Sequence, residues 1–489
     1  MKINREYFEK FEASLNRRGF LRGAGCATLA ASTAGFIGCD TAPLPNSGTY
    51  TAKMRLTPEQ QAMLDGEHGP TIQKAMKTLV WYGDSFGATE MVPLDAPVHL
   101  VASFALLYFT SMFDILKDMI DAGLSTEYSF TLNPRPPTSA EYDNLNVSAL
   151  EGLTFNTMYQ QDSYEDQLKA LGLKDEDAFS CTCYLNEVGN IPKRDQVIAF
   201  AESSAVSYAN SALGARSNRN SGVIEIISAC LKITPKFGYL TDEGRKAQWH
   251  INLNTSSLPD ATVLGSLLGS VCKSDTPFIS GLKEKLVRDG ESLDPAVNAP
   301  LQDYLKDMGA GGAATGAIAL YHVEGLTPEA RDFGRDLIGA DHQVLNVTDG
   351  MIADMVAAFP NRWAQPTARD PEIAFIGCPH NTFNQLNEWT DRLEAALAAA
   401  GRRTLTVHTV FTCSPHVARR FRGTPAYQRL MNTGAKISNS CGLMYSGNPL
   451  IRDSKRIISN SGKLRVYTNA RYLSDAEIVG VLVTGRIGG

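Results

Sequence analysis

The sequence predicts an α/β fold built from mostly parallel sheets flanked by helices. Two observations predict it. Short apolar runs alternate with helix-like stretches through the C-terminal part of the chain. The helical stretches between the runs are long enough to serve as crossover connections between parallel strands.

Leu56-Thr57-Pro58-Glu59-Gln60 opens a helix over 57–80, with Thr at the N-cap, Pro at the first helical position and an acid in the first turn. Residues 102–122 have helical spacing, and Val197 to Leu213 also reads as helix. Ala317 to Val323 reads as a buried strand following the Gly/Ala-rich stretch Gly309 to Gly316. Glu372 to Gly377 is a second strand, which leads into Cys378 and a helix from Asn384 to Ala400. Thr404 to Phe411 is a third strand, with a helix from Pro415. In parallel α/β sheets the loops after strand C-termini carry the chemistry, and Cys378 and Cys413 both fall at such ends.

The 489 residues are 43% hydrophobic and 20% charged, with a formal net charge of −6. This is ordinary globular composition at a length that suggests more than one domain. An acidic chain without basic blocks is a poor candidate for nucleic-acid binding. After residue 38 no apolar run approaches the roughly 18 residues that span a bilayer. The chemistry is therefore sought in a soluble body.

The N-terminus carries an address. Asn16-Arg17-Arg18-Gly19-Phe20-Leu21-Arg22 resembles the twin-arginine export signal, and a short Gly/Ala-rich apolar segment follows to Gly38. Phe36-Ile37-Gly38-Cys39 resembles a lipobox with Cys39 as the lipidated residue. Residues 1–38 are thus expected to be a signal peptide and 39–52 a tether. The expected location is the periplasm or the outer face of the cytoplasmic membrane. The twin-arginine translocon would be a transient partner, and membrane contact would run only through a lipid anchor.

Nine cysteines are present, two of them, Cys26 and Cys39, within this segment. The seven others are Cys181, Cys183, Cys230, Cys272, Cys378, Cys413 and Cys441. An odd number at wide spacing is neither a disulfide framework nor a paired zinc motif. Cys230 and Cys272 read as small buried hydrophobes.

Several segments, taken in order, carry a resemblance. They are Leu56-Thr57-Pro58-Glu59 with Met63-Leu64-Asp65-Gly66-Glu67-His68-Gly69, then Gly83-Asp84-Ser85-Phe86-Gly87-Ala88, then Thr131-Leu132-Asn133-Pro134. Cys181-Thr182-Cys183-Tyr184 with Gly189-Asn190-Ile191-Pro192 follows, and then the run Ile198 to Val206 with Ala209-Asn210-Ser211 and Leu213 to Arg219. His322 to Ala330, Ile376-Gly377-Cys378-Pro379-His380 and Ser459-Asn460-Ser461-Gly462-Lys463 complete the set. In order and spacing these segments resemble the catalytic, or large, subunit of aconitase X. The resemblance implies an aconitase-like multi-lobed core, with N-terminal lobes over 53–365 and a C-terminal α/β lobe over 366–489. It implies a hydro-lyase acting on a small hydroxy acid, with mevalonate 5-phosphate and cis-3-hydroxy-L-proline as family precedents.

The resemblance also implies an iron–sulfur cluster, whether [2Fe-2S], [3Fe-4S] or [4Fe-4S], held by Cys181, Cys378 and Cys441. Three thiolates would anchor the cluster while one iron stays open as a Lewis acid toward the substrate hydroxyl. Cys183 and Cys413 are alternative ligands. Glu202, Ser203 and Ser204 are the candidate catalytic residues. His99, Asn210, Arg216, Asn218 and Arg219 are the candidate substrate-binding residues, the arginines because their forked donors match a carboxylate or phosphate. His99 with Leu100 to Phe104, and Asn133-Pro134-Arg135-Pro136, depart from the family pattern, so the substrate is not copied from known members.

Known aconitase X enzymes carry a swivelling domain with a Gly/Ser-rich segment, either fused or as a small subunit. After Gly462 about 27 residues remain without such a segment, so a separate small partner is expected. Two other readings compete. One is an aconitase-X-like body that has lost catalysis and holds a ligand at the membrane surface. The other is an enzyme that carries a different metal on the same cysteines.

Overall fold

The computed structural model describes residues 51–96, 98–100 and 111–488. Arg17, Arg18 and Cys39 lie outside the described residues, as does the first part of the helix expected over 102–122; its described part is Ser111–Asp121.

The described residues form a four-stranded and a five-stranded parallel sheet and two small two-stranded ones. β1 (Met91–Pro93) pairs antiparallel with β4 (Ile233–Pro235), while β2 (His99–Leu100) and β3 (Thr131–Leu132) pair in parallel. The four-stranded sheet uses β5 (Ala247–Leu253), β6 (Pro277–Ser280), β7 (His322–Val323) and β8 (Ile338–Val347), in the order β7-β6-β5-β8. The five-stranded sheet uses β9 (Ile373–Asn381), β10 (His408–Cys413), β11 (Lys436–Ser438), β12 (Ile457–Ser459) and β13 (Arg471–Tyr472), in the order β11-β10-β9-β12-β13. The expected α/β class with parallel sheets is the observed one.

That second order decides where chemistry can sit. From β9 the chain winds outward through β10 and β11, then returns to the other side of β9 with β12 and β13. The winding reverses between β9 and β12, so the crossover segments diverge there and leave a crevice beyond the strand C-termini. β9 leads there with Gly377, Cys378 and Pro379, and β12 with Asn460 and Ser461.

Local chemistry explains where elements differ from the expectations. The helix expected over 57–80 is two helices, Pro58–Asp65 and Pro70–Ser85. Gly66 takes a left-handed φ of 94° as C-cap, and Pro70 restarts the helix. Thr57 does cap the first, within a full capping box with Gln60. The segment from Val197 is extended up to Phe200, because Ile198 N–H donates to the Arg216 carbonyl and Ala201 N–H to the His99 carbonyl. Helix begins only at Ser203–Tyr208 and widens into a π-turn at Ala209–Leu213. The strand expected over 317–323 is only His322–Val323, since Ala317, at φ 68°, is still the C-cap of helix Ala299–Gly316.

This helix packs against Ala261–Cys272 with almost no separation. A Cβ on Gly316 would stand 1.9 Å from the Gly269 carbonyl oxygen, so only glycine lets the two backbones meet there. The main core wraps both parallel sheets. Among the described residues no helix is long and apolar enough to cross a membrane.

Candidate functional site

The crevice at the end of β9 opens into a cleft of about 370 Å³, counting its open mouth. Its walls include Asn133, Pro134, Cys181, Glu202, Cys378, His380, Cys441 and Lys463. Each thiol arrives on a different element. Cys181 lies in the turns that follow the buried strand-like segment at Phe179. Cys378 lies in β9 beside the crevice, and Cys441 is the N-cap of the short helix Gly442–Gly447 after β11.

Burial pushes the Cys181 and Cys378 thiols up to about 12 and the Cys441 thiol up to about 11. Their sulfurs have specific partners. His380 N–H donates to the Cys181 sulfur at 3.3 Å, and the Leu443 and Met444 amides favour the Cys441 thiolate. Cys183 and Cys413 are buried in the main core instead, and neither lines the cleft. Cys230 and Cys272 are buried as well.

One buried ion pair faces the thiols. Lys463, just beyond β12, pairs with Glu202, the N-cap of helix Ser203–Tyr208. Burial disfavours the Glu202 carboxylate, yet Lys463, the Ser204 hydroxyl at 2.6 Å and the Ala205 amide at 2.8 Å outweigh it and bring the group down to about 2. Burial likewise works against the Lys463 ammonium, but Glu202 and the cysteine sulfurs hold it above the ordinary lysine value. The cleft therefore holds a fixed carboxylate and a fixed ammonium at neutral pH. Ser203 is half-buried at the first position of the helix.

The structure does not bring the other candidate residues to the cleft wall. Asn210 is satisfied by Ser217 and Ala319, and Asn218 by Phe237 and Tyr239. Arg216 bonds Asp195 and Asp242, and Arg219 donates to the Ala317 carbonyl. These four side chains tie loops together; their polar groups are met within the chain. His99 is fully buried behind the cleft, with Nδ1 2.8 Å from the Thr131 hydroxyl and Nε2 without a partner among the described residues. Burial lowers it to about 4, so its ring is neutral.

Lys463 was not singled out by the sequence, although Ser-Gly-Lys after an apolar run was in view. Its importance comes from the strand order, which puts the end of β12 beside the end of β9. His380, within β9, and Asn133, just after β3, stand in motifs of the resemblance, but only the fold brings them to one cleft wall.

The three thiols of the cleft fit an iron–sulfur cluster in their chemistry. Soft thiolates select such clusters or zinc. Among the described residues no three His, Cys, Asp or Glu side chains are close enough to grip one ion.

Comparison with known proteins gives the family. Three family models match in sequence: Aconitase X first domain over residues 53–243, second domain over 247–357 and third domain over 371–479. The chain belongs to the aconitase X family. The aconitase X cleft thus draws Cys181 and Glu202 from the first domain, and Cys378, Cys441 and Lys463 from the third.

The phosphomevalonate dehydratase large subunit of Thermococcus kodakarensis is 30% identical over 418 residues, covering 85% of this chain and 95% of that protein. The cis-3-hydroxy-L-proline dehydratase of Pseudomonas aeruginosa is 26% identical over 444 residues, covering 88% and 70%. The crystal structure of Thermococcus kodakaraensis aconitase X in its holo form superposes with a TM-score of 0.70 at 27% identity, covering 88% of this chain and all of that one. These relatives are dehydratases, and the enzyme class of this aconitase X protein is hydro-lyase.

Proposed function

We propose that this chain is the catalytic large subunit of an iron–sulfur dehydratase that acts on a small hydroxy acid. The observation that carries this is the meeting of Cys181, Cys378 and Cys441 with the Lys463–Glu202 pair in one cleft at the switch point of a parallel sheet. The three thiols would hold the cluster. When bound, it would supply a Lewis-acidic iron to the departing hydroxyl. The Lys463 ammonium supplies positive charge for an anionic substrate in a site where water is scarce. Glu202 keeps that ammonium in place, and Lys463, the Ser204 hydroxyl and the Ala205 amide hold its carboxyl in the ionised form.

The base would come from a small swivelling partner closing over the cleft. The near-complete match to proteins named as large subunits supports such a partner. The substrate would be a hydroxy acid related to phosphomevalonate or cis-3-hydroxyproline, the substrates named for the relatives. The test is anaerobic purification with and without a co-expressed small subunit, iron and sulfide analysis, and a hydroxy-acid screen read as loss of water. Stoichiometric iron and sulfide, with dehydration that falls on the order of 10²–10⁴ without the partner, is the expected result. A reconstituted complex that stays colourless and iron-free would sink the reading.

Export and lipidation at Cys39 are proposed on the sequence between Asn16 and Cys39 alone. Replacing Arg17 and Arg18 together with lysine is expected to leave the protein in the cytoplasm, measured by cell fractionation and immunoblotting. Undiminished export of the double variant would show that these residues are not the address.

A further inference from the structure

Cys441 ends a short loop, Ser438-Asn439-Ser440-Cys441, that leaves β11. A loop has no ladder to fix it, so its conformation depends on outside partners. One carboxylate supplies most of them. Glu141 Oε1 accepts from the Ser438 hydroxyl at 3.1 Å and from the Asn439 N–H at 2.8 Å, and Oε2 accepts from the Ser440 hydroxyl. Ser438 and Ser440 are each 1% exposed, so these hydroxyls have no water to turn to.

The next bond fixes the cysteine itself. Cys441 donates its N–H to the Arg135 carbonyl at 2.7 Å. Arg135 is anchored in turn by two bonds to Glu165, at 2.6 and 2.8 Å, and by stacking 3.9 Å above Phe179. Glu141 and Arg135 belong to the first domain, and the loop belongs to the third. The clamp therefore ties the position of Cys441 to the first domain, which also carries Cys181, through hydrogen bonds within the protein.

We propose that Glu141 is a positioning residue that presets Cys441 for cluster binding before iron arrives. The inference rests on the reading of the cleft as a cluster site. Its physical logic is preorganisation: three thiols from three separate elements bind tightly only if little ordering remains to be done. Glutamine at 141 keeps an acceptor for the Asn439 N–H and gains a donor for the Ser440 oxygen, so it preserves the clamp. Alanine removes all three bonds that Glu141 makes to the loop.

The test uses the full chain in two states. In the metal-free protein, alkylation of each cysteine is followed by mass spectrometry. Glu141→Ala is expected to speed labelling of Cys441 about tenfold, with Cys230 and Cys272 unchanged, while Glu141→Gln stays near the parent. In the reconstituted protein, Glu141→Ala is expected to release iron to a chelator about tenfold faster than Glu141→Gln. Unchanged labelling of Cys441, or faster labelling of all cysteines together, would overturn the proposal. If no variant takes up iron at all, the cluster reading fails, and the labelling still decides whether Glu141 sets Cys441.

Discussion

Replacing Cys378 or Cys441 with serine is expected to remove the iron, and with it the visible absorption and the dehydratase activity, from the reconstituted protein. Both side chains line the cleft, and each comes from a separate element, so neither can be replaced by a neighbour. Serine offers a hard, weakly acidic oxygen where a soft thiolate is needed. Cys272→Ser is the control: its side chain lies in the main core, 1% exposed, and its loss leaves the cleft untouched. Iron and labile sulfide per chain, with the visible spectrum, measure the outcome. Full iron content in Cys378→Ser or Cys441→Ser removes that residue from the ligand set. Retained iron in Cys183→Ser and Cys413→Ser would exclude the two alternative ligands by the same assay.

Lys463→Met is the second large effect, and it separates stability from catalysis. The side chains of Lys463 and Glu202 are 11% and 4% exposed. Removing one partner leaves Glu202 as an uncompensated charge in the interior, which costs about 3–5 kcal/mol. Lys463→Met/Glu202→Gln removes both charges, while glutamine still accepts the Ser204 and Ala205 bonds. The double variant is expected to regain most of the stability and none of the activity, measured by denaturant unfolding and by turnover. The acid limb follows from the same pair. The Glu202 carboxyl is depressed from the ordinary value of 4.5 to about 2, so the unfolded chain binds more protons in between. Its contribution is present above 4.5 and is lost as pH falls toward 2. A parent and a double variant with identical acid limbs would show that the pair contributes nothing to stability.

Much of the architecture is written in local chemistry. Thr57 with Pro58, Thr382 ahead of the helix at Phe383 and Ser414 with Pro415 are N-terminal helix signals that short-range hydrogen bonding dictates, and they appear where those residues stand. The apolar runs around Phe375 and Phe411 are strands because both of their faces are covered, which leaves no alternation to read. The resemblance also ran along the chain, and it pointed to the three cysteines of the cleft wall.

What the sequence could not decide depends on partners distant in the chain. Whether a polar residue faces a cleft or ties two loops together is not a local property. Arg216 and Asn210 sit in a strongly patterned run, yet their donors are consumed by Asp195, Asp242, Ser217 and Ala319. Lys463 and Glu141 have no pattern of their own. Lys463 acquires its partner 261 positions away only because its helix, Gly462–Tyr467, and the helix that Glu202 caps both pack against Ala299–Gly316, and Glu141 reaches its loop about 300 positions on only when two domains close together. Segment chemistry determined the elements, the family and the thiols; strand order and domain contact determined which charges meet them.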